Sequence, residues 1–316
     1  MESLRTLDVV AQIEKEIEDL VRFLPQIVHE QPAAFDNEFH SRLEKINNLS
    51  LLCPENRANV MKYFFELSAK ELEQGCINER SRRKPLGYAG DYLVIDWTHI
   101  QKADSYGVGA LWDQFYHRLA APTAVRNRKK YFCDLFTSFC KDRPNNVSVL
   151  NVASGPCRDV AEAIAQAGPT AAGCLFHCVD VEKEAIAYAL ETVKPYCSSV
   201  TFHWEVINVF RFRPTRQYDL VWSGGLFDYL EDSAAVSVLK KLWAATAIGG
   251  KLVVGNFHPS NPSRNIMEWG SNWFLIHRTE DDVLRLFERV GIPPELISID
   301  HDPSGACVFG NATRAS

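Results

Sequence analysis

Two short stretches of the chain combine small residues, an acid and strand ends in a way that suits a ribose-containing ligand. The apolar run Val149–Val152 ends in Ala153-Ser154-Gly155-Pro156-Cys157, and a helical pattern begins at Asp159. Small residues let the backbone approach a ligand closely, and a helix N-terminus offers free N–H groups. Asp180 directly follows a second apolar run, Cys174–Val179, where a carboxylate can accept both hydroxyls of a ribose. Alone, each feature is also explained by an ordinary turn or an N-cap; together they favour a ligand.

Three further strand ends carry polar or aromatic side chains that can line a pocket. Asn208-Val209 sets an amide beside an apolar group, which suits the edge and face of an adenine but also an ordinary loop. The run Ser223–Leu230 opens with Ser-Gly-Gly, which leaves space, and then presents an aromatic residue, an acid and a tyrosine. The loop Asn256–Arg264 continues into Met267–Trp273, and its prolines, polar groups and aromatics fit either a pocket wall or a surface loop.

Alternating strands and helices must position these strand ends. Hydrophobic periodicity predicts strands over 147–152, 174–179, 200–206, 218–222 and 251–257, and helices over 159–167, 183–196, 234–246 and 279–290. Such alternation implies a parallel sheet with helices on both faces, and ligands bind such sheets at the carboxyl ends of the strands. In the tail, 296–300 and 306–309 flank Pro303-Ser304-Gly305, which predicts a β-hairpin.

The chain before this region is predicted to be helical. Val9, Ile13, Ile17, Val21 and Leu24 recur at helix spacing, and further helical patterns run over 38–51, 55–74, 109–119 and 123–140. A turn rich in glycine and proline interrupts the patterns at 83–91. The polar, proline-containing run 141–146 predicts the division into a helical cap or substrate domain, 1–143, and a ligand-binding domain, 144–316.

Composition and charge narrow the class of protein. The chain has 316 residues, 46% of them hydrophobic, and a net charge of -6, which disfavours a nonspecific nucleic-acid binder. The first 20 residues carry acids throughout and show no signal-peptide pattern, and no apolar run is long enough to span a membrane. We therefore expect a cytoplasmic protein whose nine cysteines are reduced thiols. Cys174 and Cys178 around His177 match no zinc-site spacing, so no metal is expected.

The pattern over 147–316 resembles the class I S-adenosylmethionine-dependent methyltransferases. The resemblance implies a Rossmann-like sheet, parallel with a C-terminal antiparallel hairpin, preceded here by an all-helical N-terminal cap. It also implies that the small turn cradles the methionine part of the cofactor and that the acid after the second strand binds its ribose. Asn151, where the family usually has an acid, departs from the pattern, as do Ala153 and Cys157. The cofactor-binding residues predicted on this basis are Tyr88, Ala153, Ser154, Gly155, Asp180, Val181, Asn208, Val209, Ser223 and Gly224.

A narrower resemblance covers most of the chain. The blocks Lys84–Asp91, Ala124–Arg128, Gly225–Leu230 and Gly255–Arg264 are similar to those of a bacterial group that includes synthases of 3-hydroxy fatty acid (3-hydroxypalmitate) methyl esters. The resemblance implies methyl transfer to a small molecule, with the carboxylate of a 3-hydroxy fatty acid as one acceptor. An O- or N-methyltransferase acting on an aromatic or amine-containing metabolite, and a noncatalytic S-adenosylmethionine-binding protein, remain alternatives.

The acceptor decides which further residues matter. A carboxylate is already a nucleophile and needs cations or hydroxyls to hold it, whereas a hydroxyl or ring nitrogen benefits from a base. The candidate bases are His258, which follows the fifth predicted strand, Asp228 and Tyr229. The candidate acceptor contacts are Arg126, Phe227, Arg264, Trp269 and Trp273, with Arg128 and Tyr88 as further groups for a carboxylate. An arginine pair on a helix is also typical of a solvated face, and a homodimer is left open.

A dinucleotide oxidoreductase and a nucleic-acid methyltransferase are the other enzyme classes compatible with an alternating sheet. The oxidoreductase is disfavoured because the turn after the first strand has only Gly155 where G-x-G-x-x-G is needed. The nucleic-acid enzyme is disfavoured because the chain has no basic cluster.

Overall fold

The computed structural model describes residues 2–103, 106–143 and 146–315, and of residues 2–7 only the backbone. The chain divides into two compact units. One is Met1–Pro122 together with Pro262–Phe274, and the other is Thr123–Asn261 together with Leu275–Ser316. The sequence places the division at 143/144, next to Pro144 and Asn145, which lie outside the described residues. The helix that precedes this point is counted with the sheet, because its buried face packs on the strands.

The first unit is helical, as predicted. Its helices are α1 (Glu2–Phe23), α2 (Pro32–Ser50), α3 (Arg57–Leu67), α4 (Ala69–Leu72), α5 (Cys76–Arg83), α6 (Tyr92–His99) and α7 (Val108–Arg118). Ile13, Ile17 and Leu20 lie on one face of α1 and are fully buried. Phe35 forms edge contacts with Trp112 and Phe115, so aromatic side chains fill the centre of this unit.

Two parts of the helical unit differ from the prediction. The turn expected at 83–91 is present, but Asp91 caps a further helix, α6, by accepting hydrogen bonds from the N–H groups of Leu93 and Val94. The segment Ile266–Gly270, in the loop after the fifth strand, forms one π-helical turn and belongs to this unit. Its Trp269 packs against Phe64 of α3, which explains why the segment groups with the helices.

The second unit is built on a seven-stranded sheet, and it confirms the predicted Rossmann-like α/β fold. The strands are β1 (Ser148–Val152), β2 (Leu175–Asp180), β3 (Thr201–Val206), β4 (Tyr218–Ser223), β5 (Thr246–Phe257), β6 (Ile297–His301) and β7 (Cys307–Thr313). They lie in the order β3-β2-β1-β4-β5-β7-β6. The first five are parallel, and β7 runs antiparallel between β5 and β6. The antiparallel hairpin at the end of the chain is therefore also confirmed.

Helices flank the sheet because its strands are apolar on both faces. They are α8 (Ala120–Asp142), α9 (Arg158–Ala167), α10 (Lys183–Val193), α11 (Asp232–Ala244) and α12 (Glu280–Val290). Leu150, Val221 and Leu252 are fully buried and share one core with α11 and α12. Phe132 and Phe136 of α8 pack on the opposite face against Trp222 and Phe176. Parallel strands buried on both faces need such two-sided cover.

Helix α8 is joined to the C-terminal hairpin by polar contacts. Asn127 Nδ2 donates to Asp302 Oδ2 at 2.8 Å, and the Tyr131 hydroxyl donates to Asp300 Oδ2 at 2.6 Å. In the hairpin turn, Asp302 accepts the N–H of Cys307 at 2.7 Å, and Gly305 adopts a φ of 70° that favours glycine. These contacts join the hairpin to α8, and β7 pairs with the last parallel strand, β5.

No helix among the described residues is long and apolar enough to cross a membrane. Within the same residues, no group of three or more His, Cys, Asp or Glu side chains is arranged to hold a metal ion.

Candidate functional site

The turn after β1 has an unusual backbone. Ala153, Gly155 and Cys157 have φ values of 53°, 52° and 52°, in the left-handed region that non-glycine residues rarely adopt. The turn is held by a hydrogen bond from Ser154 N–H to Val179 O at 3.1 Å. A Cβ added to Gly155 would meet nothing within 4 Å, so the backbone of the turn faces open space. Strain of this kind persists where surrounding contacts enforce it, commonly at ligand sites.

Asp180 links this turn to the end of β2. Its Oδ2 accepts the N–H of Gly155 at 2.8 Å, and its Oδ1 accepts the N–H of Glu182 at 3.0 Å. Burial raises the pKa of the Asp180 carboxyl, and the backbone donors partly offset that effect. Each carboxylate oxygen has two lone pairs, so Asp180 retains acceptor capacity beyond these two bonds.

Apolar side chains are exposed in the segments that follow β2 and β3. Val181 is 54% exposed, and Phe210, in the loop after β3, is 42% exposed. The β2–β3 register pairs Asp180 with Val206, so both strands end at the same edge. Asn208 is exposed, and its Oδ1 accepts the N–H of Phe210 at 2.9 Å, which shapes the loop. The combination of a carboxylate with exposed apolar surface suits a nucleoside.

Two polar side chains, Asn151 and Asp159, flank the turn in the chain. Asn151 on β1 is 1% exposed and pairs in register with Trp222 of β4. Within the described part of the chain, Nδ2 of Asn151 has no hydrogen-bond partner. Trp222 Nε1 donates to Asp159 Oδ2 at 3.2 Å, and burial raises the pKa of Asp159 to about 6. An unpaired donor and a carboxyl that resists ionisation are features that cluster at ligand sites.

The end of β4 holds the candidate base Asp228 in an ion pair. Arg128 Nη1 donates to Asp228 Oδ2 at 2.8 Å, and both side chains are almost fully buried. The other carboxylate oxygen, Oδ1, accepts the N–H of Phe257 at 2.6 Å. Ser223 Oγ donates to Val152 O at 3.1 Å, which ties the ends of β4 and β1 together. Asp228 therefore holds Arg128 and the end of β5 in place.

The other two candidate bases lie in different settings. His258 Nδ1 lies 2.6 Å from Ser260 Oγ, and its Nε2 lies 3.3 Å from Glu280 Oε2, so both ring nitrogens are engaged. Tyr229 is 41% exposed. The neighbouring Phe227, predicted to contact the acceptor, is 1% exposed and belongs to the sheet core. That burial favours a packing role for Phe227.

Most of the other predicted contacts belong to the helical unit. Tyr88 is half-buried in the turn between α5 and α6. Trp269 is 1% exposed, and its Nε1 donates to Asn47 Oδ1 at 3.1 Å. Arg264 Nε donates to Glu268 Oε1 at 2.7 Å, and Trp273 is 9% exposed. Arg126, in the sheet unit, donates from Nη2 to Thr123 Oγ1 at 2.9 Å.

A cavity of about 560 Å³ lies within the helical unit, between α3 and the π-helical turn. Its wall includes Trp269 and half-exposed Phe274 beside the ion pair of Arg57 and Glu268. The complete lining is Pro54, Arg57, Ala58, Met61, Lys62, Phe65, Glu268, Trp269, Asn272 and Phe274. An apolar wall with a few charged groups suits a small amphipathic molecule.

The burial of Arg128 was not predicted, because an arginine pair on a helix is typical of a solvated face. The spacing does indicate the burial, since Ala124, Arg128, Phe132 and Phe136 recur every four residues, and the alanine and both phenylalanines are fully buried. An arginine inside a buried stripe needs an acidic partner. Its partner lies 100 residues away in the chain, and no local pattern identifies it.

Comparisons with known proteins support the fold and do not identify an activity. No family profile and no curated protein matches the chain. A possible exported protein from Bordetella parapertussis is similar, with a TM-score of 0.58 and 17% identity over 96% of this chain and 97% of that chain. At that identity the likeness shows a shared fold alone.

Two weaker similarities are to methyltransferases. Magnesium protoporphyrin IX methyltransferase from Synechocystis PCC 6803, with bound SAH, has a TM-score of 0.48 and 13% identity over 62% of this chain and 87% of that chain. The N-methyltransferase NodS from Bradyrhizobium japonicum WM9 has a TM-score of 0.42 and 13% identity over 60% of this chain and 97% of that chain. Neither alignment is strong enough to carry an argument about this chain.

Proposed function

We propose that the protein is an S-adenosylmethionine-dependent methyltransferase acting on a small molecule. The observation that carries the proposal is the Asp180 carboxylate at the end of β2, bonded to the N–H of Gly155 in the strained turn after β1. The sheet order, with its antiparallel β7, is the arrangement that the sequence resemblance implies. No nicotinamide cofactor is proposed, because the turn lacks the glycines that a pyrophosphate requires.

The residues of the sheet unit fit S-adenosylmethionine. Asp180 accepts the ribose hydroxyls, and Val181 with Asn208 and Val209 borders the adenine. The turn Ala153–Gly155 is open on its ligand side, and buried Nδ2 of Asn151 needs an acceptor that the methionine end can supply. Ser223 and Gly224 lie at the end of β4 and are the proposed contacts of the methionine end, and Tyr88 remains a cofactor contact predicted from the sequence.

When bound, S-adenosylmethionine would supply an electrophilic methyl group on a sulfonium, whose carbon an acceptor attacks in line as the sulfur leaves as a thioether. The protein has to align the acceptor and exclude water. The commitment of Asp228 to Arg128, and of His258 to Ser260 and Glu280, supports an acceptor that needs no base. A carboxylate meets this condition, and the similar sequence blocks favour that of a 3-hydroxy fatty acid.

The cavity of about 560 Å³ in the helical unit has the apolar wall that an aliphatic or aromatic molecule requires, and we propose that it binds such a molecule. Arg126, Phe227, Arg264, Trp269 and Trp273 remain the proposed acceptor contacts, although the burial of Phe227 and Trp269 in packed cores makes those two the weakest members. Methylation of a phenol or an amine, with His258 or Tyr229 as the base, is the second candidate.

Calorimetry with S-adenosylhomocysteine tests the proposal directly. We expect micromolar binding by the wild-type protein and, in Asp180→Ala, a loss of about 10-fold to 100-fold, as for removal of a charged hydrogen-bond acceptor. Asp142→Ala is the matched control, because Asp142 is exposed at the end of α8. Wild-type protein that binds neither S-adenosylhomocysteine nor S-adenosylmethionine would contradict the proposal.

Transfer of a labelled methyl group then separates the acceptor classes. We expect label on 3-hydroxy carboxylates before phenols or amines, because the candidate bases Asp228 and His258 are both bonded to other side chains. Label on a phenol or amine, lost in His258→Gln, would favour the second candidate. Binding of S-adenosylmethionine without transfer to any of the three classes would favour a noncatalytic binding protein.

A further inference from the structure

Arg128 occupies a confined position at the carboxyl edge of the sheet. The residue is 7% exposed, and its guanidinium carbon lies 4.3 Å from the centre of the Phe257 ring. Nη1 donates to Gly224 O and to Asp228 Oδ2, each at 2.8 Å, and Nε lies 3.0 Å from Cys307 Sγ. The arginine thus connects α8 to the ends of β4 and β5 and the start of β7.

The remaining nitrogen of the guanidinium is unpaired. Nη2 is buried, and no acceptor among the described residues lies within hydrogen-bond distance of it. A buried donor left without a partner costs about 1–3 kcal/mol, and more when the group is charged. Both oxygens of Asp228 are already engaged, by Nη1 and by the N–H of Phe257, so the ion pair leaves Nη2 free for another group.

The neighbouring thiol does not supply a second negative charge. Burial raises the pKa of Cys307 to about 11, although Arg128 opposes the shift, so the sulfur stays protonated at neutral pH. The cluster of Arg128, Asp228 and Cys307 is therefore neutral, with both N–H groups of Nη2 unused. An oxygen acceptor suits that position, and a carboxylate forms the strongest such bond with a guanidinium.

The position coincides with the part of the sheet where ligands bind in this fold class. Gly224 follows β4, and the neighbouring Ser223 bonds to the end of β1, so the arginine lies at the central strands. An oxygen brought by a ligand at this edge would supply the acceptor that Nη2 lacks.

We propose that Nη2 of Arg128 donates to a carboxylate oxygen of a ligand bound at the carboxyl edge of the sheet. This inference rests on the proposed function, which supplies two sources of that carboxylate. One is the amino-acid end of the adenosyl cofactor, and the other is the methyl acceptor. Arg128 is then a binding residue, and Asp228 is a positioning residue that holds one arm of the guanidinium so that the other faces the ligand.

The test compares Arg128→Lys with the wild-type protein by calorimetry. Lysine keeps the charge and can still pair with Asp228 but lacks the second arm. The probes are S-adenosylhomocysteine and 5′-methylthioadenosine, which lacks the amino-acid end. The second pair, 3-hydroxydecanoate and 1,3-decanediol, is added to protein saturated with S-adenosylhomocysteine. Arg143→Lys is the matched control, because Arg143 also pairs with an aspartate, Asp219, which lies near the start of β4 and away from the carboxyl edge.

Each source of the carboxylate has its own signature. Weaker binding of S-adenosylhomocysteine by about 10-fold or more, with 5′-methylthioadenosine unchanged, supports the cofactor carboxylate. A comparable loss confined to 3-hydroxydecanoate supports the acceptor carboxylate. Equal affinities of variant and wild type for all four probes overturn the inference and leave a trapped water as the partner of Nη2.

Two further outcomes keep the inference separate from folding and from the proposed function. If Arg128→Lys loses 5′-methylthioadenosine as well and unfolds at a lower temperature, Arg128→Gln combined with Asp228→Asn replaces it, since that pair leaves no buried charge unmatched. If the double variant binds S-adenosylhomocysteine and 3-hydroxydecanoate as tightly as the wild type does, the inference is overturned. Wild-type protein that binds neither adenosyl ligand contradicts the proposed function itself, and this proposal falls with it.

Discussion

Asp180 and Asp228 lie at opposite halves of the same sheet edge, in contrasting surroundings. Asp180, after β2, accepts two backbone N–H groups beside open space. Asp228, after β4, is paired with Arg128 and enclosed by the ends of β5 and β7. Each carboxylate accepts two hydrogen bonds, but both donors to Asp180 are backbone N–H groups, whereas Asp228 also balances the charge of a buried guanidinium. The β1–β2 half thus offers its carboxylate to a ligand, and the β4–β5 half holds its carboxylate in an ion pair.

The largest expected effect distinguishes the two acids by stability. Asp228→Ala leaves Arg128 buried without its counter-ion, and the free energy of unfolding should fall by about 3–5 kcal/mol. Asp180→Ala removes two backbone bonds but also a buried charge, so its change should stay within about 1 kcal/mol. Urea denaturation of both variants measures the difference. Equal losses would show that the two halves of the edge do not differ in this way.

The glycines of the two halves offer a second comparison. A Cβ on Gly255 would lie 2.5 Å from Gly224 O, so Gly255→Ala must displace the ends of β4 and β5 and should cost about 1–3 kcal/mol. Gly155 faces open space, so Gly155→Ala should lower the stability only through the backbone strain of an alanine at a φ of 52°, by about 1 kcal/mol. Thermal unfolding ranks the two variants. A larger loss in Gly155→Ala would contradict the packing described for β4 and β5.

The smallest expected effect is a pH dependence at Asp159. Burial raises its pKa to about 6 in the folded protein, so the folded state binds a proton more tightly than the unfolded state. The stability that Asp159 contributes is therefore greatest in acid and declines as the pH rises from about 4 through about 6. Asp159→Asn should lack this decline when unfolding is measured between pH 4.5 and 7.5. Parallel pH profiles for variant and wild type would contradict the burial of the carboxyl.

The sequence was sufficient for features with a local signature. Strands and helices alternate at their own periods, and the turn after β1, Asp180 and the C-terminal hairpin lie where those patterns end. Contacts between distant residues have no such signature. The pairing of Arg128 with Asp228, and the grouping of Trp269 with α3, depend on three-dimensional packing that no local spacing encodes. The acceptor contacts, which depend on the same kind of packing, remain predictions.

The attachment of α8 to the C-terminal hairpin also determines when the ligand site can form during synthesis. Asn127 and Arg128 contact Asp302 and Cys307, which lie 175 and 179 residues later in the chain. At ribosomal rates of about 5–20 residues per second, roughly 10–35 s separate the synthesis of these partners. Through that interval α8 lacks β7, and the guanidinium has no sulfur neighbour. The carboxyl edge is therefore completed only after the hairpin has been made, and a chain stopped before residue 307 has no aligned Arg128.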